Sequence, residues 1–196
     1  MHIADDLIVR AERESDHCAV DSVLRNAFGH RDVADAVNAA RNSEFYNSSF
    51  SFVGDLCDEV VAMAMLAPVT LEGIAAVELA HPTAGAMLVE LVDPASGVMA
   101  LATVAVTRAY QHQGVGAVVV RAAIRTAQVR GLSTLVVVGD PRYFQRFGFE
   151  AAAKVGLTPG FDVDPDTFLA LPIKGLARTG VVEYSMPVMA LATPVG

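Results

Sequence analysis

Between Val98 and Val138 an apolar run, a turn with two close glycines, a helical pattern and a second apolar run follow one another without a break. Val98–Val106 reads as a strand. From Gly114 to Arg130, Val120, Ala123, Ile124 and Ala127 share one helical face, Arg121, Arg125 and Gln128 share another, and Gly131 ends the pattern. Leu135–Val138 is then a short, wholly apolar strand of the kind covered on both faces. Two strands joined through a helix lie parallel with a right-handed crossover, so the segment predicts a βαβ unit. A chain containing that unit must complete a sheet around it and cover both faces.

The flanks supply the remaining layers. Leu7–Arg10 is β-like, and Asp16 is placed to cap a helix whose apolar positions Val20, Val23, Leu24, Ala27 and Phe28 follow the helical period. Gly29 breaks it; Val33, Ala36, Val37 and Ala40 repeat the spacing in a second, shorter helix. Phe50, Phe52 and the Val60–Leu66 run predict two antiparallel strands joined by a polar turn around Asp55 to Glu59, with Pro68 and Gly73 interrupting the run beyond. Across 69–100, apolar pieces lie around Ile74–Leu79 and Met87–Val92. The turn residues Asp93 to Gly97 predict a hairpin that sets Ala86–Val92 antiparallel to Val98–Val106. Pro141 suits the first turn of a short helix stopped by Gly148, and Phe168–Ile173 and Val181–Ser185 read as strands. With no repeat and no linker, the expectation is an α/β fold of the α+β type in one domain spanning 1–196. Its core would occupy about 7–150 and its C-terminal strands about 151–190.

Composition narrows the setting. No uninterrupted apolar stretch approaches the ~18–20 residues that cross a bilayer. Asp5, Asp6, Glu12, Glu14, Asp16 and Asp21 fall within the first 25 residues, which argues against a signal or transit peptide. Cys18 and Cys57 are too few for a disulfide framework and stand in no metal-ligand spacing, so the expectation is a reducing cytoplasm and no metal. A formal charge of −8, from 22 acidic and 14 basic residues without a basic run, argues against nucleic-acid and membrane partners. An acidic surface suits a cationic partner such as an amine, and serves solubility equally well.

The bare turn carries the chemistry. The first amides of a helix lack partners within it, and with the helix dipole they favour an anion. Gly114 and Gly116 permit close backbone approach, so Gln111-His112-Gln113-Gly114-Val115-Gly116 can wrap amides around a phosphate or pyrophosphate. Glycines at such a turn can also serve tight packing alone. A dinucleotide site would want G-x-G-x-x-G in the first βα turn, and Asp140 stands where a ribose-binding carboxylate belongs. The third glycine position is Val119, however, and the turn lies past the middle of the chain.

The order of strand, two helices, antiparallel strands, long strand, Q-x-x-G-x-G, helix, strand, short helix and R-F-G-F resembles the GNAT superfamily of acetyl-CoA-dependent N-acetyltransferases. Gln111-x-x-Gly114-x-Gly116 is similar to its pyrophosphate motif. Gly139-Asp140-Pro141-x-Tyr143-Phe144-x-Arg146-Phe147-Gly148-Phe149 resembles the matching segment of a predicted bacterial N-acetyltransferase subgroup. The resemblance implies a mixed central sheet with a splayed parallel strand pair and flanking helices. It implies acetyl-CoA as co-substrate and acetyl transfer by direct attack to a primary amine, on a small molecule or on a protein N-terminus or lysine. Val104, Ala105 and Val106 would meet the pantetheine arm. Gln111, His112, Gln113, Gly114, Val115, Gly116 and Ala117 would surround the pyrophosphate, and an amide near Val106 would polarise the thioester carbonyl. Phe144 would lie against the cofactor.

One position departs from the superfamily. Many members carry a tyrosine four residues before the glycine of G-F, able to protonate the departing thiolate, and here that position is Phe144. The tyrosine is Tyr143, which on a helix points ~100° away. Tyr143 is a candidate acid or a packed aromatic, and Glu90 or a water chain is a candidate proton acceptor. A non-catalytic acyl-CoA sensor or interaction module on the same fold is the alternative. Arg108, Arg121 and Arg125 could meet a 3′-phosphate or be solvated charges. Asp162, Asp164 and Asp166 predict a turn, because the glycine and distal glutamate of a calcium loop are missing. Met63 and Met65 suit core or cleft lining, and exposed C-terminal strands are consistent with a homodimer.

Overall fold

Valine- and alanine-rich runs that alternate faces every residue can be buried on both sides only inside a covered sheet, and such a sheet dominates the molecule. The computed structural model describes residues 3, 6–44, 46–72, 97–174, 179–185 and 188–189. In chain order they form β1 (Ile8–Ala11), α1 (His17–Phe28), α2 (Asp32–Arg41), β2 (Ser51–Leu56), β3 (Glu59–Glu72) and β4 (Val98–Val106). There follow α3 (Val115–Val129), β5 (Thr134–Val138), α4 (Pro141–Phe144), β6 (Glu150–Ala151), β7 (Leu157–Pro159), β8 (Phe168–Pro172) and β9 (Gly180–Tyr184). The strands run β1-β2-β3-β4-β5-β8-β6, with β9 pairing both β3 and β7. The β4–β5 and β7–β9 pairs are parallel and the others antiparallel.

The two faces are covered by different helices. Val115, Val119, Val120, Ala123 and Ala127 of α3 pack on Ala62, Ala64, Leu66 and Leu101. Val20, Val23 and Leu24 of α1 and Val33 and Val37 of α2 pack on the opposite side against Val53, Met63, Met65 and Ala105. Met63 and Met65 are therefore core. A third cluster joins the far half of β3 to the C-terminal strands through Val69, Leu71, Phe168, Val182 and Tyr184. Each fully buried Val or Leu contributes about 1.5–3 kcal/mol relative to exposure, so the helices are held by these faces more than by propensity. Among the described residues no helix is long and apolar enough to cross a membrane.

Several expectations need correction. Asp16 precedes α1 but its side chain does not cap it. The carboxylate accepts from the Arg10 guanidinium at 2.6 and 3.0 Å and from the Arg13 N–H at 2.8 Å, and Arg10 holds it below the usual carboxylate range. Pro68 does not interrupt β3, which continues to Glu72. It lies between Met65, the last residue paired to β2, and Val69, the first paired to β9, where a missing N–H breaks neither ladder. The pieces Ile74–Leu79 and Ala86–Val92 and the candidate Glu90 lie outside the described residues, as does the Asp93–Gly97 turn except Gly97. The Asp162–Asp166 segment is a turn in which Asp164 accepts from the Asp166 N–H at 3.0 Å.

A buried polar network ties the N-terminal elements together. The Glu12 carboxylate, just past β1, pairs with Arg41 at the end of α2 and accepts from Tyr46 at 3.1 Å and from Ser51, the first residue of β2, at 2.5 Å. Burial and the adjacent carboxylate push the Tyr46 phenol up to about 12.

Candidate active site

The parallel pair at the centre of the sheet does not last. β4 and β5 are in register only at Val98–Thr134, Met99–Leu135 and Ala100–Val136. Beyond that point β5 stays with β8 as far as Val138, and β4 stays with β3 as far as Val106. The cause is local: Met65 opposes Thr103 and Leu66 opposes Leu101, so Ala102 is an extra residue that bulges and bends β4. A wedge opens between the strands.

The exposed edge of β4 can be read from the ladder. The Thr107 N–H donates to the Val61 carbonyl at 2.9 Å, which fixes the antiparallel alternation. Ala105 thus faces β3 with its backbone groups, while Val104 and Val106 aim theirs into the wedge. The Val106 carbonyl accepts from Gln111 Nε2 at 2.9 Å. Gln111 therefore braces the glycine loop on the end of β4, a side-chain role that its place in an amide-lined motif does not announce.

That loop is held in backbone conformations suited to wrapping. His112 has φ +60° and Gly114, at the cap of α3, has φ +85°. The Ala117 and Val118 amides already bond the Gly114 carbonyl at 2.9 and 3.2 Å. Among the described residues the Val115 and Gly116 amides have no partner, so they are the donors at the positive end of α3. The Val115 side chain is fully buried, and Gln113 turns its side chain to the Ala109 carbonyl at 2.8 Å. Val115 can serve a ligand only through its backbone.

The wedge opens into a cleft of about 640 Å³. One wall is Val104, Ala105 and Val106, a second is Gln111, His112, Gly114, Gly116 and Ala117, and a third is Asp140, Tyr143, Phe144 and Arg146. Ala27 and Phe28 close the rim. The structure thus gathers Val104 to Val106, most of the loop, Phe144 and Tyr143 in one place. Ala27, Phe28 and Arg146 are additions; Phe28 was placed on the buried face of α1, but it is the last residue before Gly29 and is 40% exposed.

Phe144 and Tyr143 divide as their helical spacing requires. Phe144 is buried, edge-on to Phe149 with ring centroids 5.6 Å apart. Tyr143 turns the other way: a Cβ built on Gly116 would stand 2.8 Å from its hydroxyl. The Arg146 guanidinium lies 4.0 Å from the Tyr143 ring centroid. Asp140 accepts from the Arg142 N–H at 2.9 Å and caps α4 ahead of Pro141, so its position after β5 is explained by helix capping and not by a ribose. Arg121 sits over Phe147 and Arg108 donates its N–H to Asn26.

A mixed sheet whose central parallel strands part after three pairs, with helices on both faces and a glycine loop at the opening, is the fold of the GNAT N-acetyltransferases. The chain belongs to that acetyltransferase (GNAT) family, whose model matches residues 19–149. It is similar to the uncharacterized N-acetyltransferase YhbS of Escherichia coli strain K12, with 26% identity over 184 residues, covering 91% of this chain and 96% of the relative. A crystal structure of Escherichia coli YhbS in complex with CoA superposes with a TM-score of 0.75 at 23% identity, over 93% of this chain and 91% of that one. A GNAT-family acetyltransferase from Brucella melitensis in complex with acetyl-CoA gives 0.68 at 22% identity, over 92% and 97%. Among the described residues no cluster of metal-binding side chains occurs.

Proposed function

We propose that this chain moves an acetyl group from acetyl-CoA to a primary amine, on a small molecule or on a protein N-terminus or lysine. The observation that carries this is the open edge of β4 leading directly to the donor amides of Val115 and Gly116. An extended amide-bearing arm can add to that edge as a strand would, while a diphosphate meets the helix start. Two relatives of the same fold hold CoA and acetyl-CoA. The G-D-P-x-Y-F-x-R-F-G-F segment further supports the predicted bacterial N-acetyltransferase subgroup, and a net charge of −8 supports a cationic acceptor.

In the reaction the neutral amine nitrogen attacks the thioester carbonyl carbon, the C–N bond forms, and the C–S bond breaks with its electron pair leaving on sulfur. The amine loses one proton, to Glu90 or to a water chain, and the thiolate takes one up from solvent. A thiol of pKa ~8.5 leaves without an acid at a tolerable rate near neutral pH, so Phe144 in the superfamily's tyrosine position slows transfer without forbidding it. The same buried Phe144 favours a second reading, a sensor that binds acyl-CoA without turnover.

Free-thiol release from acetyl-CoA, followed against a panel of small amines and peptides with free N-termini or lysines, separates the two. Acetylated product from any of them is the expected result. CoA binding in calorimetry with no product across the panel would establish the sensor instead.

A further inference from the structure

Tyr143 reaches the start of α3. Its hydroxyl lies over Gly116, 2.8 Å from a Cβ built there, and the same Cβ would be 3.5 Å from Val106 Cγ2. This is the mouth of the wedge. On β4 the cleft is lined by Val104 to Val106, and an arm laid along that edge from the helix start leaves its diphosphate at the mouth.

The chemistry at the mouth points the same way. Three hydrogen-bond donors converge there, the amides of Val115 and Gly116 and the Tyr143 hydroxyl. Among the described residues none of the three has an acceptor. The Arg146 guanidinium, stacked 4.0 Å from the phenol ring, adds positive charge beside them. Donors gathered without an acceptor, next to a cation and a helix start, suit an anion with several oxygens.

Resting on the acetyl-CoA reading above, we propose that Tyr143 is a diphosphate ligand: its hydroxyl donates to a phosphate oxygen alongside the α3 amides, and Arg146 holds the ring in place. The missing side chain at Gly116 then leaves room for that hydroxyl.

Calorimetry with CoA and with pantetheine, which lacks the diphosphate, tests this. Tyr143→Phe is expected to weaken CoA binding about tenfold, the effect of a lost hydrogen bond to a charged group, and to leave pantetheine binding unchanged. Gly116→Ala is expected to produce a similar loss by displacing the hydroxyl. In Tyr143→Phe it should add little, because the ring carbon Cζ is an ordinary 3.9 Å from the new methyl. Unchanged CoA affinity in Tyr143→Phe, equal losses for CoA and pantetheine, or full additivity of the two substitutions would each overturn the assignment. Wild-type protein that gives no heat with CoA would instead remove the acetyl-CoA reading beneath it, a result independent of any variant.

Discussion

A methyl group at Gly139 is the most demanding single addition the cleft wall can be asked to accept. Its carbon would stand 2.4 Å from Phe144 Cε2 and 3.0 Å from Cδ2. Phe144 cannot simply swing away, because its far side is packed on Phe149 and its near side on Tyr143, with ring centroids 5.6 and 5.0 Å apart. Gly139→Ala is therefore expected to cost about 1–3 kcal/mol, as overpacking typically does, and Gly139→Ala with Phe144→Leu to regain most of it. Urea denaturation midpoints measure both; an unchanged midpoint for the single variant would contradict this packing. At this scale the sequence was informative where a residue's role follows from its backbone. Gly114 and Gly116 announce an amide-lined helix start by spacing alone, and Phe144 and Tyr143 separate as their helical angle says they must. It was uninformative where a role depends on distant chain. Nothing local tells that Phe28 will stand at the rim beside the glycine loop.

Among the elements, the join between β1, α2 and β2 depends on one buried ion pair. The Arg41 and Glu12 side chains are 4% and 0% exposed, and Tyr46 and Ser51 satisfy the second carboxylate oxygen. Removing one partner leaves a buried charge without a counter-charge, which costs about 3–5 kcal/mol, whereas replacing both with apolar groups of similar volume is often close to neutral. Arg41→Ala is thus expected to lower the urea midpoint sharply, and Glu12→Leu with Arg41→Met to recover most of the loss. A double variant as unstable as the summed singles would show that the pair itself, and not the orphaned charge, is the source of stability. The helices were legible because α1, α2 and α3 sustain a 3.6-residue period over 10–15 residues. The strands were legible less evenly. β6 and β7, of two and three residues, are too short to show a period. The extension of β3 past Pro68 depends on where its partners β2 and β9 begin and end, which no window of sequence contains.

For the molecule as a whole, net charge and local charge pull in opposite directions. At −8 the protein repels a polyanion from afar, yet that repulsion is screened beyond about 10 Å in ordinary salt, while donors at the cleft mouth act at contact. An anionic cofactor is held only by local geometry, so discrimination between anions should be strong. Here the sheet decides. A dinucleotide needs two mononucleotide halves on a doubly wound parallel sheet, whereas this sheet has one short parallel pair at its centre and antiparallel strands on either side. The glycine turn alone was compatible with both cofactors; the antiparallel runs before it already pointed away from the dinucleotide. A ligand that binds only the folded state stabilises it by about 2.7 kcal/mol at one hundred times its dissociation constant. For a chain of this size each kcal/mol shifts the melting temperature by roughly 2–4 °C. CoA at that concentration is therefore expected to raise the midpoint by roughly 5–11 °C in a thermal-shift scan, and NAD at the same concentration to leave it in place. An equal rise with NAD would mean that the cleft recognises a diphosphate and nothing more, because only the arm lying along the unpaired edge of β4 distinguishes the two ligands.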